Sequence, residues 1–70
     1  MKYHAYTKSE LARLYFPDAE PHVATNRLSR WIGRNRELKE ALEAAGYRTR
    51  NRCLTARQVR LITQYLGEPE

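Results

Sequence analysis

The stretch YTKSELARLYFP, residues 6–17, decides how the chain begins to fold. Thr7 and Glu10 have the spacing of a capping box, in which the threonine hydroxyl and the glutamate carboxylate each accept a hydrogen bond from the other residue's backbone amide. Pro17 ends the helix, because a proline disfavours helical geometry in the residue before it. The stretch therefore predicts a first helix over residues 8–15.

The same device returns near the other end of the chain, in LTARQV at residues 54–59. Thr55 and Gln58 have the spacing of a second capping box. Apolar residues follow it at helical spacing and give one buried face: Val59, Ile62 and Leu66. Gly67 ends this final helix.

Two further helices are expected between these caps. Pro21 is suited to the first position of a helix, where its missing amide leaves nothing unpaired. Gly33 and Asn35 interrupt that helix, and Asn35 is able to cap a third one over about residues 36–45. Gly46 supplies the left-handed residue at which the third helix ends.

These elements indicate a single domain over residues 1–70 that is mainly α, with about four helices. Seventy residues are too few for a second core or a deep pocket. The apolar positions that recur at helical spacing predict the core: Leu11, Leu14, Leu28, Trp31, Ile32, Leu42, Val59 and Ile62.

Residues 47–54, YRTRNRCL, change from helical spacing to a period of two. Arginine takes positions 48, 50 and 52, so that in an extended conformation the three side chains share one face of a strand. The segment is then a short wing beside the helices. A loop is the alternative.

The positive charge is concentrated in the middle of the chain. The net charge is +5, and ten of the thirteen basic residues are arginines, whose planar fork suits phosphates and guanine edges. Residues 27–60 carry ten basic and three acidic side chains. Such a surplus favours a polyanion partner, although a solvated basic surface is also common in small domains.

Several classes of function are disfavoured by composition. The single cysteine, Cys53, excludes an intrachain disulfide, and it has no zinc-ligand spacing with His4 or His22. The sequence has no nucleophile, phosphate-loop or paired-carboxylate motif and no apolar run that could span a membrane. We expect a small soluble cytoplasmic protein that is not an enzyme and needs no cofactor.

The motifs resemble those of a bacterial domain-of-unknown-function family of short proteins. The similarity lies in YxKSELAxLYFP, LxxWI, GY, LTxxQVxxI and LGEP, which follow one another over nearly the whole chain. It implies no established activity.

A looser resemblance is to the winged helix-turn-helix modules of the MerR and phage-excisionase kind. It is carried by SELA at residues 9–12, Leu28 with Trp31-Ile32, and GYR at residues 46–48 leading into the second cap. In such modules the second helix enters the DNA major groove and the wing touches the backbone or minor groove. The resemblance implies DNA-binding residues on that helix and on the wing: His22, Asn26, Ser29, Arg30, Arg48, Arg50 and Arg52.

The first hypothesis is therefore a double-stranded DNA-binding module, acting as a transcriptional regulator or a recombination accessory factor. The second is a protein-interaction or adaptor module, or a homodimer, which would use the acidic face of the third helix and the apolar residues around Leu66. RNA binding by the same arginines is a third.

Overall fold

The computed structural model describes residues 3–48 and 50–69 and contains four helices and two short strands over these ranges. In chain order they are β1 (Tyr6–Thr7), α1 (Lys8–Tyr15), α2 (Pro21–Arg34), α3 (Arg36–Ala44), β2 (Cys53–Leu54) and α4 (Ala56–Leu66). The prediction of a small, mainly α domain with four helices is confirmed, and the first helix has the predicted bounds.

Both predicted capping boxes are formed. At the start of α1, the Glu10 amide donates to Thr7 Oγ1 at 3.0 Å and the Thr7 amide donates to Glu10 Oε1 at 2.8 Å. At the start of α4, Gln58 and Thr55 make the same pair of bonds at 3.2 and 3.0 Å. The hydrogen bonds from the Thr7 backbone and side chain hold the pKa of Glu10 below its ordinary value.

The two strands bring these two helix starts together. β1 and β2 pair antiparallel with Tyr6 opposite Leu54, which are the residues that precede the two capping threonines. The Lys8 amide extends the pairing by donating to the Arg52 carbonyl oxygen at 2.7 Å. The segment before β2 is thus attached to the first turn of α1.

The described part of the arginine-rich segment before β2 is a loop, which is the alternative stated for residues 47–54, and the extended wing is limited to Cys53–Leu54. The Asn51 amide donates to the Arg48 carbonyl oxygen at 2.9 Å and closes a turn. A longer strand would need a partner along its length, and β1 offers only two residues. The arginines at 48, 50 and 52 therefore do not share one strand face, and Thr49 lies outside the described residues.

A single core lies where the four helices meet. α1 makes its most extensive contacts with α2, and α3 packs against α4. The buried apolar residues come from all four helices, β2 and the residue after Gly46: Leu11, Ala12, Ala24, Leu28, Ile32, Leu38, Leu42, Tyr47, Leu54, Val59 and Ile62. Six of the eight predicted core residues are among them.

The predictions for Leu14 and Trp31 are wrong, since these side chains are 42% and 39% exposed. Each lies at the edge of its helix's apolar stripe and is only partly covered. Trp31 instead packs edge-on against Phe16, with ring centroids 4.8 Å apart, and against Tyr15 at 6.3 Å. Helical spacing placed both residues near the core, but the number of neighbouring elements limited how much of the stripe became buried.

Candidate nucleic-acid interface

The face of α2 opposite the core carries four of the residues that the helix-turn-helix resemblance implied. His22, Asn26 and Arg30 follow one another at intervals of four residues and are exposed, and Ser29 is half-buried. The apolar side of the same helix is fully buried at Ala24 and Leu28, which orients this polar face outward. The stripe thus lies along the outside of a helix of fourteen residues.

A groove runs between this face, the start of α1 and the arginine-rich loop. It is an open cavity of about 650 Å³. Its lining contains cations, hydroxyls and amides: Thr7, Lys8, Ser9, Thr25, Asn26, Ser29, Arg50, Asn51 and Arg52. We refer to it as the arginine groove.

The walls of the arginine groove are held by backbone hydrogen bonds. The bond from the Lys8 amide to Arg52 fixes one edge of the loop against α1, and the turn closed by Asn51 fixes the next residues. The Lys8 side chain is only 7% exposed, and its Nζ lies 5.2 Å from the centre of the Tyr47 ring. Attraction to the ring face helps to keep this ammonium group in place beside the groove.

The electrostatics of the groove are one-sided. Lys8, Arg50 and Arg52 contribute positive charge, and among the described residues no carboxylate lines the cavity, although Arg50 also borders the depression that contains Glu43. Over residues 3–48 and 50–69, no carboxylate oxygen lies within 4.0 Å of either arginine. Glu10 is the nearest acid along the sequence, and its carboxylate accepts the Thr7 amide in the cap. The accessible lining of the groove is mostly apolar, so its attraction for an anion depends on the three cationic side chains.

The structure thus brings together four of the seven predicted site residues: Asn26, Ser29, Arg50 and Arg52. Arg48 lines a different depression together with Glu43 and Tyr47, and Arg50 borders both that depression and the groove. His22 lies near the start of α2, with Nδ1 3.7 Å from Glu20 Oε2, and does not line the groove. Arg30 is exposed one turn beyond Asn26, also outside the lining.

Sequence reasoning missed five groove residues: Thr7, Lys8, Ser9, Thr25 and Asn51. Thr25 could have been found, because it lies four residues before Ser29 on the same helix. Lys8 and Asn51 had no such signal, since only the pairing of β1 with β2 brings the loop to the start of α1.

Other kinds of site are not found in the part of the chain that the structure describes. It contains no group of three or more histidine, cysteine or acidic side chains placed to hold a metal ion. None of its helices has the length and apolarity needed to cross a bilayer. Cys53 is an exposed free thiol.

The comparisons with known proteins support the resemblance to a domain-of-unknown-function family. Neither the curated proteins nor the solved structures contain a match to this chain. A family model does match it, over residues 2–69, and its description is a domain of unknown function. The chain, with its two capped helices and the motifs between them, belongs to the DUF4248 family.

Proposed function

We propose that this protein binds double-stranded DNA, with the outer face of α2 in the major groove and the arginine groove against the phosphate backbone. The observation that carries the proposal is the arrangement of Arg50 and Arg52, which have no carboxylate partner over residues 3–48 and 50–69 and lie beside Asn26 and Ser29. Cations next to base-reading side chains are the combination that DNA recognition requires.

The two kinds of side chain have different tasks in this proposal. Arg50 and Arg52 contact phosphates, which gives affinity without sequence preference and releases counterions. Asn26 and Arg30 face the bases, where an asparagine amide matches the edge of adenine and an arginine fork matches guanine. Ser29 lies between the two sets and is able to donate to either a phosphate or a base.

The dimensions of α2 favour duplex DNA over duplex RNA. Fourteen residues make a helix about 21 Å long, and the B-DNA major groove, about 12 Å wide, admits one helix. The major groove of A-form RNA is too deep and narrow for such contact. The close packing of α1 on α2, joined by the turn at residues 16–20, also supports a helix-turn-helix arrangement.

The proposal is tested by titrating the chain against a labelled random duplex of about 20 base pairs, two helical turns, at several salt concentrations. We expect binding that weakens steeply with salt. The double variant Arg50→Ala/Arg52→Ala should reduce the slope of log K against log salt by about 1.8, because each phosphate contact accounts for about 0.9.

The matched control is Arg34→Ala/Arg36→Ala, which removes the same charge from a cleft that shares no residue with the groove. It should keep the slope of the unmodified chain. Duplex RNA of the same sequence should bind more weakly than DNA. Absence of salt-dependent binding, or equal losses in the two double variants, would contradict the proposal.

A further inference from the structure

A second surface lies where the end of α2, the start of α3 and the end of α4 meet. It is an open cleft of about 510 Å³. Two apolar side chains are surrounded there by charged and polar ones: Trp31, Arg34, Asn35, Arg36, Glu37 and Leu66. We refer to it as the tryptophan cleft.

Trp31 is held in position although its side chain is 39% exposed. Phe16 and Tyr15 pack edge-on against it from the α1 side. The Tyr15 hydroxyl in turn donates to the Gly67 carbonyl oxygen at 2.6 Å, which fixes the end of α4 beside α1. An exposed aromatic ring whose position is already fixed loses little conformational entropy on binding, as is typical of residues that dominate interfaces.

The charges of the cleft are mixed in sign, unlike those of the arginine groove. Arg36 and Glu37 are adjacent at the start of α3, and both are exposed and line the cleft. Arg34 is also exposed, so the lining carries two positive charges and one negative charge. A strongly charged ligand would therefore gain more from the arginine groove, whereas a surface with both signs is suited to a partner that has both signs.

We infer that the tryptophan cleft is the interface of a homodimer, in which a second copy of this chain covers it. In a twofold arrangement each contact occurs twice, and a surface must be complementary to itself. Arg36 of each copy would then face Glu37 of the other, with the two Trp31 rings packed together at the axis. The inference does not depend on DNA binding, because the cleft and the groove share no residue.

The size of the chain limits the strength of this dimer. A stable interface buries about 800 Å² on each partner. That is about a sixth of the 5018 Å² exposed by this chain, or most of one face. The cleft occupies only part of a face, so we expect a dimer that exchanges rapidly and forms at micromolar to millimolar concentration.

The test is the sedimentation of the whole chain from about 10 µM to about 1 mM, a range in which weak association is measurable. The mass should rise from 8.3 kDa toward twice that value. Arg36→Glu or Glu37→Arg should each weaken association about tenfold or more, because like charges then face one another. The double variant Arg36→Glu/Glu37→Arg should recover most of the loss, since it exchanges the two charges.

Two control variants make the same changes in net charge at exposed positions outside the cleft, one on α4 and one on α3. Arg57→Glu lies at the opposite end of α4 from Leu66, and Glu43→Arg lies at the far end of α3. Both should associate as the unmodified chain does. Trp31→Ala should remain monomeric, with its circular dichroism used to check that it is folded.

The inference is overturned if the chain stays monomeric at about 1 mM, where even weak dimers form. It is also overturned if the double charge exchange recovers nothing, or if the dimer persists in folded Trp31→Ala. These charge variants affect only exposed side chains, so they decide the question even where Trp31→Ala does not fold.

Discussion

The arginine groove and the tryptophan cleft lie on the same helix and have opposite character. The middle of α2 contributes Asn26 and Ser29 to a groove whose lining, among the described residues, includes three cations and no carboxylate. The end of α2 contributes Trp31 and Arg34 to a cleft in which apolar side chains are bordered by both charges. The comparison teaches that the net charge of +5 says little about any one surface, because one helix borders both a groove lined by cations and a cleft lined by charges of both signs.

The largest expected effect on stability comes from the core beneath α2. Comparing a core variant with a Trp31 variant also measures how exposed the tryptophan cleft is. Leu28 is fully buried, so Leu28→Ala should lower the free energy of unfolding by about 2–5 kcal/mol. Trp31→Ala removes a partly exposed ring that packs edge-on against two others, and should cost only about 1–2 kcal/mol. Urea denaturation midpoints compare the two. Equal losses would show that the cleft is closed and Trp31 belongs to the core.

Two arginines one turn apart on α2, Arg30 and Arg34, lie on different surfaces and should therefore differ in their effect on DNA binding. Arg30 continues the outer stripe from Asn26, whereas Arg34 lines the tryptophan cleft. After selection of a preferred duplex, Arg30→Ala and Asn26→Ala should each reduce the discrimination between that duplex and a random one by about 1–3 kcal/mol. Arg34→Ala should leave it unchanged. If Arg34→Ala loses as much discrimination as Arg30→Ala, the assignment of α2's outer stripe to the bases is wrong.

The two capping boxes provide a smaller test, because only the first one borders the arginine groove. Thr7→Ala and Thr55→Ala should each destabilise the chain by about 1 kcal/mol, since each leaves a helix-start amide without its acceptor. Thr7→Ala should also weaken duplex binding, because Thr7 precedes Lys8 in the groove wall. Thr55→Ala should alter the denaturation midpoint alone. Identical duplex affinities in the two variants would show that the first cap does not contribute to DNA binding at the groove.

The stability contributed by the first cap depends on pH in the acid range, whereas that of the second cap does not. The pKa of Glu10 is lowered from 4.5 in the folded chain, so the stability that this carboxylate contributes is present above that value and is lost as the pH falls through the lower folded value. Gln58 does not ionise, and its Nε2 also donates to the Ala45 carbonyl oxygen at 3.0 Å. Glu10→Gln should therefore reduce the loss of stability on acidification, measured by thermal melting between pH 7 and pH 3.

The smallest expected signal comes from Tyr15, beside the tryptophan cleft. Burial, with smaller contributions from Glu68 and Tyr3, raises the pKa of Tyr15 to about 12 from 10.0. The unfolded chain therefore loses this proton first, and the contribution of Tyr15 to stability declines as the pH rises from 10 toward 12. Phenolate absorbance should show a late-titrating tyrosine that Tyr15→Phe removes. A titration without a late component would mean that the Tyr15 hydroxyl is exposed to water.

Much of this fold is determined locally by the sequence. Thr7, Asn35 and Thr55 mark helix starts because a cap involves residues only three apart, and the observed helices begin directly after them. The left-handed conformation of Gly46, with φ of 88°, is likewise set by neighbouring residues, because it ends the third helix. Helical period also places six of the buried core residues on the apolar faces of their own helices.

Only the tertiary structure decided which of these residues are exposed and which of them lie close together. Trp31 is 39% exposed although Phe16 and Tyr15 pack against it, and Arg48 does not line the arginine groove because β1 offers two residues of pairing and the loop turns before it. Lys8 entered the groove because that pairing carries the loop to the start of α1. Caps and periods are properties of neighbouring residues, whereas exposure and proximity across the chain depend on which elements are available to pack, and 70 residues supply only a few.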